Sequence, residues 1–237
     1  VLQSTEGILS LSTPPSPAER FVRSSLLPNL CKAVAKNERY YGDFAIFETA
    51  QVFRDENYTT PYDQREKLPS QRKNVAGAFA TTDKDITALF RKAKGVVEMM
   101  ARYVHMETLT FRQTEKPVWA DNVVWLNIYR GDEKVGDLAL LAKKVSMACG
   151  IKNMNVMLFQ LDQDSLVPLK SRTNTFTHLA EYPMTDYDIS LLVDGSVQWK
   201  DVAQTVRGIK SELLHGAAFV DEYRGKQVPA GKKSLTL

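Results

Sequence analysis

Asp188-Ile189-Ser190-Leu191-Leu192-Val193 is a short run of branched apolar residues near the end of the chain, and the segments downstream of it decide how it folds. Trp199, Val202, Ala203, Val206 and Ile209 recur at spacings of three and four, which predicts a helix with one apolar face. Ala217–Tyr223 and Lys233–Leu237 return to strand composition. Strand, helix, strand, strand is half of a split βαβ unit plus a hairpin, an incomplete version of the ferredoxin-like βαββαβ order. One helix and one strand of that order are missing, and Ser234-Leu235-Thr236-Leu237 reads as a strand at a cut end. One face of the expected three-stranded sheet then has a single covering helix and keeps apolar surface exposed.

Working outward toward the N-terminus, Val167–Thr177 loses periodicity and gains Pro168, Lys170, Arg172 and Asn174. That composition places a linker over 171–181, between a first module at 1–170 and the second at 182–237. The first module opens at Val1-Leu2-Gln3 rather than at Met, again reading as a cut end, and runs through Thr13-Pro14-Pro15-Ser16-Pro17, too rich in proline for a helix. Ser25 then caps a helix that tolerates Pro28 in its first turn and carries Leu27, Leu30, Cys31, Val34 and Ala35 on one face. Phe44–Glu48 with Val52-Phe53, and Val75–Ala80, read as strands, with a polar exposed loop from Asp55 to Lys73 between them.

The strongest periodic signal is Ile86, Leu89, Phe90, Ala93, Val96, Val97, Met100, Tyr103 and Val104, a helix of about five turns with Asp83 or Asp85 at its start. Strands are expected at Leu109–Phe111, Val123–Tyr129 and Asn155–Leu161, with Gly131-Asp132 as a turn. A short helix is expected over Leu138–Met147, ending at Gly150.

The bulk composition fits a folded protein: 237 residues, 43% hydrophobic and 25% charged. A net charge of +3 is too mild to require a nucleic acid, though it leaves room for a local basic surface. Cys31 and Cys149 lack any zinc-type spacing and are expected to be reduced, partly buried thiols. No apolar run approaches the roughly 20 residues of a membrane span, so no membrane partner is expected and the cytoplasm is the expected compartment.

Four blocks carry a family resemblance: Tyr182-Pro183, Asp188–Val193, Val220-Asp221-Glu222-Tyr223-Arg224-Gly225, and Val228-Pro229-Ala230-Gly231-Lys232-Lys233-Ser234-Leu235. In this order they resemble the ferredoxin-fold anticodon-binding domain of the bacterial phenylalanyl-tRNA synthetase beta subunit family. Upstream, Ser16-Pro17, Val22–Leu30, Phe47-Glu48 before Val52-Phe53, and Lys94-Gly95-Val96-Val97-Glu98 resemble landmarks of that family's non-catalytic, class II synthetase-like module. The resemblance implies an α+β chain: a class II synthetase-like antiparallel sheet with flanking helices, followed by the incomplete ferredoxin-like domain. Departures are Trp119-Ala120-Asp121-Asn122 where the family has a histidine-proline-glycine turn, expected to reshape that loop, and Tyr187 where it has arginine.

The chemistry-bearing residues divide on their own terms. His105 and His178 have no Cys, Asp or Glu partner at metal or triad spacing, and His215 precedes Gly216 in an expected turn, so each reads as structural or surface. Neither a Walker-type nor a Rossmann-type glycine motif occurs, and Gly231-Lys232-Lys233-Ser234 reads either as a polar turn or as a phosphate contact. Tyr223, Arg224, Lys232, Lys233 and Ser234 form neighbours across one hairpin, an aromatic to stack a base beside groups that serve phosphates and base edges. The resemblance implies that Tyr223, Ser190 and Ser234 surround the first anticodon base, and that tRNA contacts come from Ser190, Tyr223, Arg224, Lys232, Lys233 and Ser234. No catalytic, metal or cofactor residue is implied.

The function implied is that of a part of phenylalanine-tRNA ligase, serving subunit assembly and tRNA(Phe) anticodon binding while an alpha subunit performs the ATP- and magnesium-dependent chemistry. The partners implied are that alpha subunit, a second beta subunit in an alpha2beta2 assembly, and tRNA(Phe). The apolar helix at Leu27–Lys36 reads either as core or as part of that subunit assembly. The alternatives are a free-standing synthetase-like interaction protein without activity, and a hydrolase built on His105 or His178.

Overall fold

Pro28 stands in the first turn of α1 (Leu27–Asn37), where a missing N–H costs nothing, and Leu27, Leu30, Cys31 and Val34 form the buried stripe the spacing predicts. The cap is shared across the fold. Leu27 N–H donates to Ser25 Oγ (3.2 Å), while the Ser25 hydroxyl and the Leu26 N–H both donate to Gln160 Oε1, each at 2.9 Å. A side chain 134 residues away thus completes the helix start.

The computed structural model describes residues 2, 8–16, 20–60, 63–103, 108–166, 176, 182–211 and 213–237, with backbone alone at 55–60 and 63–68. The expected linker at 171–181, apart from Phe176, lies outside the described residues, as do Val104, His105 and His178. Two units are distinguished, Val1–Asn174 and Thr175–Leu237.

In the first unit, β1 (Asp43–Thr60), β2 (Asp63–Thr81), β3 (Thr110–Arg112), β4 (Ala120–Arg130), β5 (Glu133–Leu141) and β6 (Asn155–Asp162) form one antiparallel sheet in the order β1-β2-β6-β5-β4-β3. Alternation along β2 and β6 divides two cores. Ala76, Ala78, Ala80, Val156 and Leu158 face α1 and α3 (Lys143–Ala148), whereas Phe79, Met157, Phe159 and Leu161 face α2 (Ile86–Tyr103). Helices on both faces explain why β6 reads as a continuous apolar run. α2 starts as expected, with the Ala88 N–H donating to Asp85 Oδ1 (3.0 Å).

Two expectations are corrected. Within the polar stretch expected as a loop, 55–60 and 63–73 are instead arms of the β1–β2 hairpin, paired as far as Thr60 and Asp63. Because β6 joins β2 only from Asn74 onward, this part is a two-stranded ribbon that extends beyond the six-stranded sheet and its two cores, so an apolar face gives no signal there. Pro69 is accommodated because β2 has no second neighbour at that point and the register shifts between Arg54 and Asn57. The helix expected over Leu138–Met147 begins only at Lys143; Leu138–Leu141 belongs to β5, a strand buried on both faces whose apolar run carries no period. Trp119–Asn122 leads directly into β4, with Trp119 buried and the Ala142 N–H donating to its carbonyl (3.0 Å).

Two of the family landmarks meet at Arg23. Its guanidinium pairs with Glu48 (2.8 Å) and donates to the Gln51 carbonyl (2.8 Å), and its own carbonyl accepts the Phe53 N–H (2.9 Å).

The second unit contains β7 (Ser190–Asp194), α4 (Trp199–Arg207), β8 (Asp221–Tyr223) and β9 (Lys232–Thr236), with sheet order β7-β9-β8. β9 runs antiparallel to both neighbours, which makes β7-α4-β8 a split βαβ crossover. A reciprocal capping box between Gln198 and Asp201 starts α4, and Trp199 meets Phe219 edge-on at 5.8 Å. Among the described residues of this unit Val202, Ala203 and Leu235 are the buried apolar ones, while Ile189, Leu213, Phe219 and Val220 are exposed.

Candidate nucleic-acid interface

Directly opposed residues of an antiparallel sheet project to the same side, so the register alone sorts the second unit's side chains. Leu191↔Leu235↔Glu222 forms one row, and Leu235, with no exposed surface, marks this as the helix-covered side. The alternate rows are Ser190↔Thr236↔Asp221, Leu192↔Ser234↔Tyr223 and Asp194↔Lys232. These form the open side.

On that side Tyr223 and Leu192 flank Ser234 on the central strand, and both are about half exposed. The Ser190 and Thr236 hydroxyls lie 3.0 Å apart. The surface therefore offers an aromatic ring, an apolar patch, hydroxyls, carboxylates and a lysine.

The structure brings Ser190, Tyr223, Lys232 and Ser234 together on this side and separates Lys233 and Arg224 from them. Lys233 lies on the covered side, its side chain only 6% exposed, and its ammonium pairs with Glu222 at 2.8 Å. Arg224 Nε donates to the other Glu222 oxygen (2.8 Å), and its Nη2 reaches the Gly195 carbonyl at 3.3 Å. Lys233 and Arg224, in that order, hold the Glu222 carboxyl below its ordinary value of 4.5. The five residues expected as neighbours across one hairpin do sit on the paired β8 and β9 and the turn between them, and strand alternation divides them between two sides, since adjacent residues of β9 point to opposite sides.

Asp221, Thr236 and Leu192 were not among the sequence candidates, yet each shares the open side. The signal for them was the period of two: Asp221 stands two residues before Tyr223, and Thr236 two after Ser234. His215 is exposed in the irregular segment between α4 and β8. No group of three or more His, Cys, Asp or Glu among the described residues is arranged to hold a metal ion. None of their helices is long and apolar enough to cross a membrane.

A family model for the phenylalanyl tRNA synthetase beta chain CLM domain matches residues 3–163, and one for the ferredoxin-fold anticodon binding domain matches 180–237. The chain belongs to the phenylalanyl-tRNA synthetase beta chain family. Similar proteins include the phenylalanine–tRNA ligase beta subunits of Oceanobacillus iheyensis, 27% identical over 96% of this chain, and of Bacillus licheniformis, 29% identical over 95%. That of Xylella fastidiosa is 28% identical over 99%. The chain spans 28–29% of the length of these relatives. Among solved structures, pyrrolysyl-tRNA synthetase from Desulfitobacterium hafniense aligns with TM-score 0.51 at 14% identity, covering 68% of this chain and 52% of that one. That likeness shows a class II synthetase-like fold and nothing further.

Proposed function

We propose that the second unit of this beta-chain segment binds the anticodon of tRNA(Phe) on its open sheet face, within a phenylalanine-tRNA ligase whose alpha partner performs the chemistry. The observation that supports this most is the row Leu192, Ser234, Tyr223, which sets a half-exposed ring beside a hydroxyl and an apolar shelf in a domain matched by an anticodon-binding family model. An unstacked base gains about 1–3 kcal/mol from such a ring. Ser234, Ser190 and Thr236 supply donors and acceptors to a base edge, Asp221 supplies an acceptor for base N–H groups, and Lys232 supplies charge for a phosphate.

The first unit acts in this reading as an assembly module rather than a catalyst. Both faces of its sheet are filled by apolar side chains under helices. ATP and magnesium belong to the alpha partner, and the complete ligase is an alpha2beta2 assembly working in the cytoplasm. Boundaries at 170/171 and 181/182 divide the assembly module, the linker and the RNA-binding domain.

Tyr223→Ala in the assembled ligase tests the RNA face. Affinity for tRNA(Phe) is expected to fall roughly 5- to 150-fold, the equivalent of one lost stacking contact, while phenylalanine-dependent ATP–pyrophosphate exchange is unchanged. Unaltered tRNA affinity would overturn the reading.

A further inference from the structure

Tyr223 ends β8, and Gly225 lies two residues on, in the bend that opens a turn closed by the Val228 N–H donating to the Gly225 carbonyl (2.9 Å). A β-carbon placed on Gly225 would lie 2.0 Å from the Tyr223 hydroxyl oxygen, 2.2 Å from Cζ and 2.8 Å from Cε1. The tip of the phenol ring therefore fills the space that any other residue would occupy with its own side chain. The ring folds over the bend that follows β8, and it can do so only because position 225 carries no side chain.

We infer that Gly225 is a positioning residue for RNA recognition: lacking a side chain, it lets the Tyr223 ring lie over the bend that follows β8, in the orientation that receives a base. This inference rests on the open face being the RNA surface. Gly225 is not in the left-handed region, so a substitution there meets the ring and not a backbone penalty. The clashing atoms are the far end of an exposed side chain, which swings away at little cost to stability. Function and stability therefore separate at this position. Gly225→Ala should misplace the ring while leaving the fold intact.

The experiment is a double-mutant cycle in the assembled ligase, reading KM for tRNA(Phe), kcat, amino-acid activation and Tm for Gly225→Ala, Tyr223→Ala and the pair. Gly225→Ala is expected to raise the KM for tRNA to nearly the level of Tyr223→Ala, with activation and Tm unchanged. The pair should then be no worse than Tyr223→Ala alone. Additive losses, a lowered Tm, or a normal KM in Gly225→Ala beside an impaired Tyr223→Ala would overturn the inference and leave the RNA face standing. If Tyr223→Ala itself has no effect, the RNA face fails and the inference with it. A second readout needs no variant at 225: the Gly225 α-protons should show an upfield ring-current shift that Tyr223→Leu abolishes, and its absence in the parent protein would also overturn the inference.

Discussion

Lys233 Nζ lies 2.8 Å from Glu222 Oε2 on the helix-covered side of the second sheet, its side chain almost wholly buried. A motif lysine beside the proposed RNA surface is therefore part of the domain's own structure. Replacing the carboxylate by a neutral amide leaves the buried ammonium an acceptor but no counter-charge, whereas replacing the lysine by an apolar chain of similar length removes the buried charge. Glu222→Gln should thus lower stability by about 1 kcal/mol, the partly exposed carboxylate being screened by solvent, and Lys233→Met by less, as read from urea unfolding. Equal losses would contradict the assignment.

The same pair sets an acid dependence. Lys233 and Arg224 lower the folded-state pKa of Glu222 below its ordinary value of 4.5. Its contribution is therefore fully present above pH 4.5 and is lost as pH falls through the depressed folded value. Unfolding midpoints followed from pH 6 to about 2 should show a decline below pH 4.5 that Glu222→Gln flattens.

Gln160 accepts hydrogen bonds from Ser25 Oγ and Leu26 N–H, both at 2.9 Å, and so joins the start of α1 to β6. Gln160→Leu keeps the bulk and removes the acceptor. We expect a loss of about 1–2 kcal/mol in the first unit's stability, with Ser25→Ala in the same background adding less than it costs alone. Thermal unfolding of the four proteins checks this.

Burial pushes the Cys31 thiol up to about 12, reinforced by the Cys149 thiol beside it, which is partly exposed. At pH 8, DTNB should titrate one thiol in the folded 237-residue chain and two in guanidinium. Cys149→Ser should leave the folded chain without a rapidly reacting thiol.

Lys232 and Lys233 are adjacent in sequence and opposite in placement. Lys232→Ala should reduce the salt dependence of tRNA binding by about one phosphate contact. Lys233→Met should leave that slope unchanged, and a change in it would place Lys233 at the RNA after all.

Much of this was legible in residue patterns. The stripes of α1 and α2 were visible because each helix buries one face, and Ala203 and Val202 marked α4 in the same way. Leu138–Leu141 misled because a strand covered on both faces carries no period, and Asp55–Lys73 because a hairpin beyond the sheet needs no apolar face. At the candidate site the residue types were readable, but their sides were not. Lys233 is assigned to the covered face only by its register against Val193, and Gly225 is linked to Tyr223 only by the direction in which a ring leans. The first depends on which strands β9 pairs with and in what register, and the second on a side-chain direction, information that adjacent letters do not contain.

The most direct test is aminoacylation of tRNA(Phe) transcripts altered at the first anticodon base by the assembled ligase, with Tyr223 intact and as Tyr223→Ala. The intact ligase should lose kcat/KM on the altered transcripts by roughly 5- to 150-fold, and Tyr223→Ala should compress that difference toward unity. Identical kcat/KM across the anticodon variants in the intact ligase would contradict an anticodon-reading face on β7, β8 and β9.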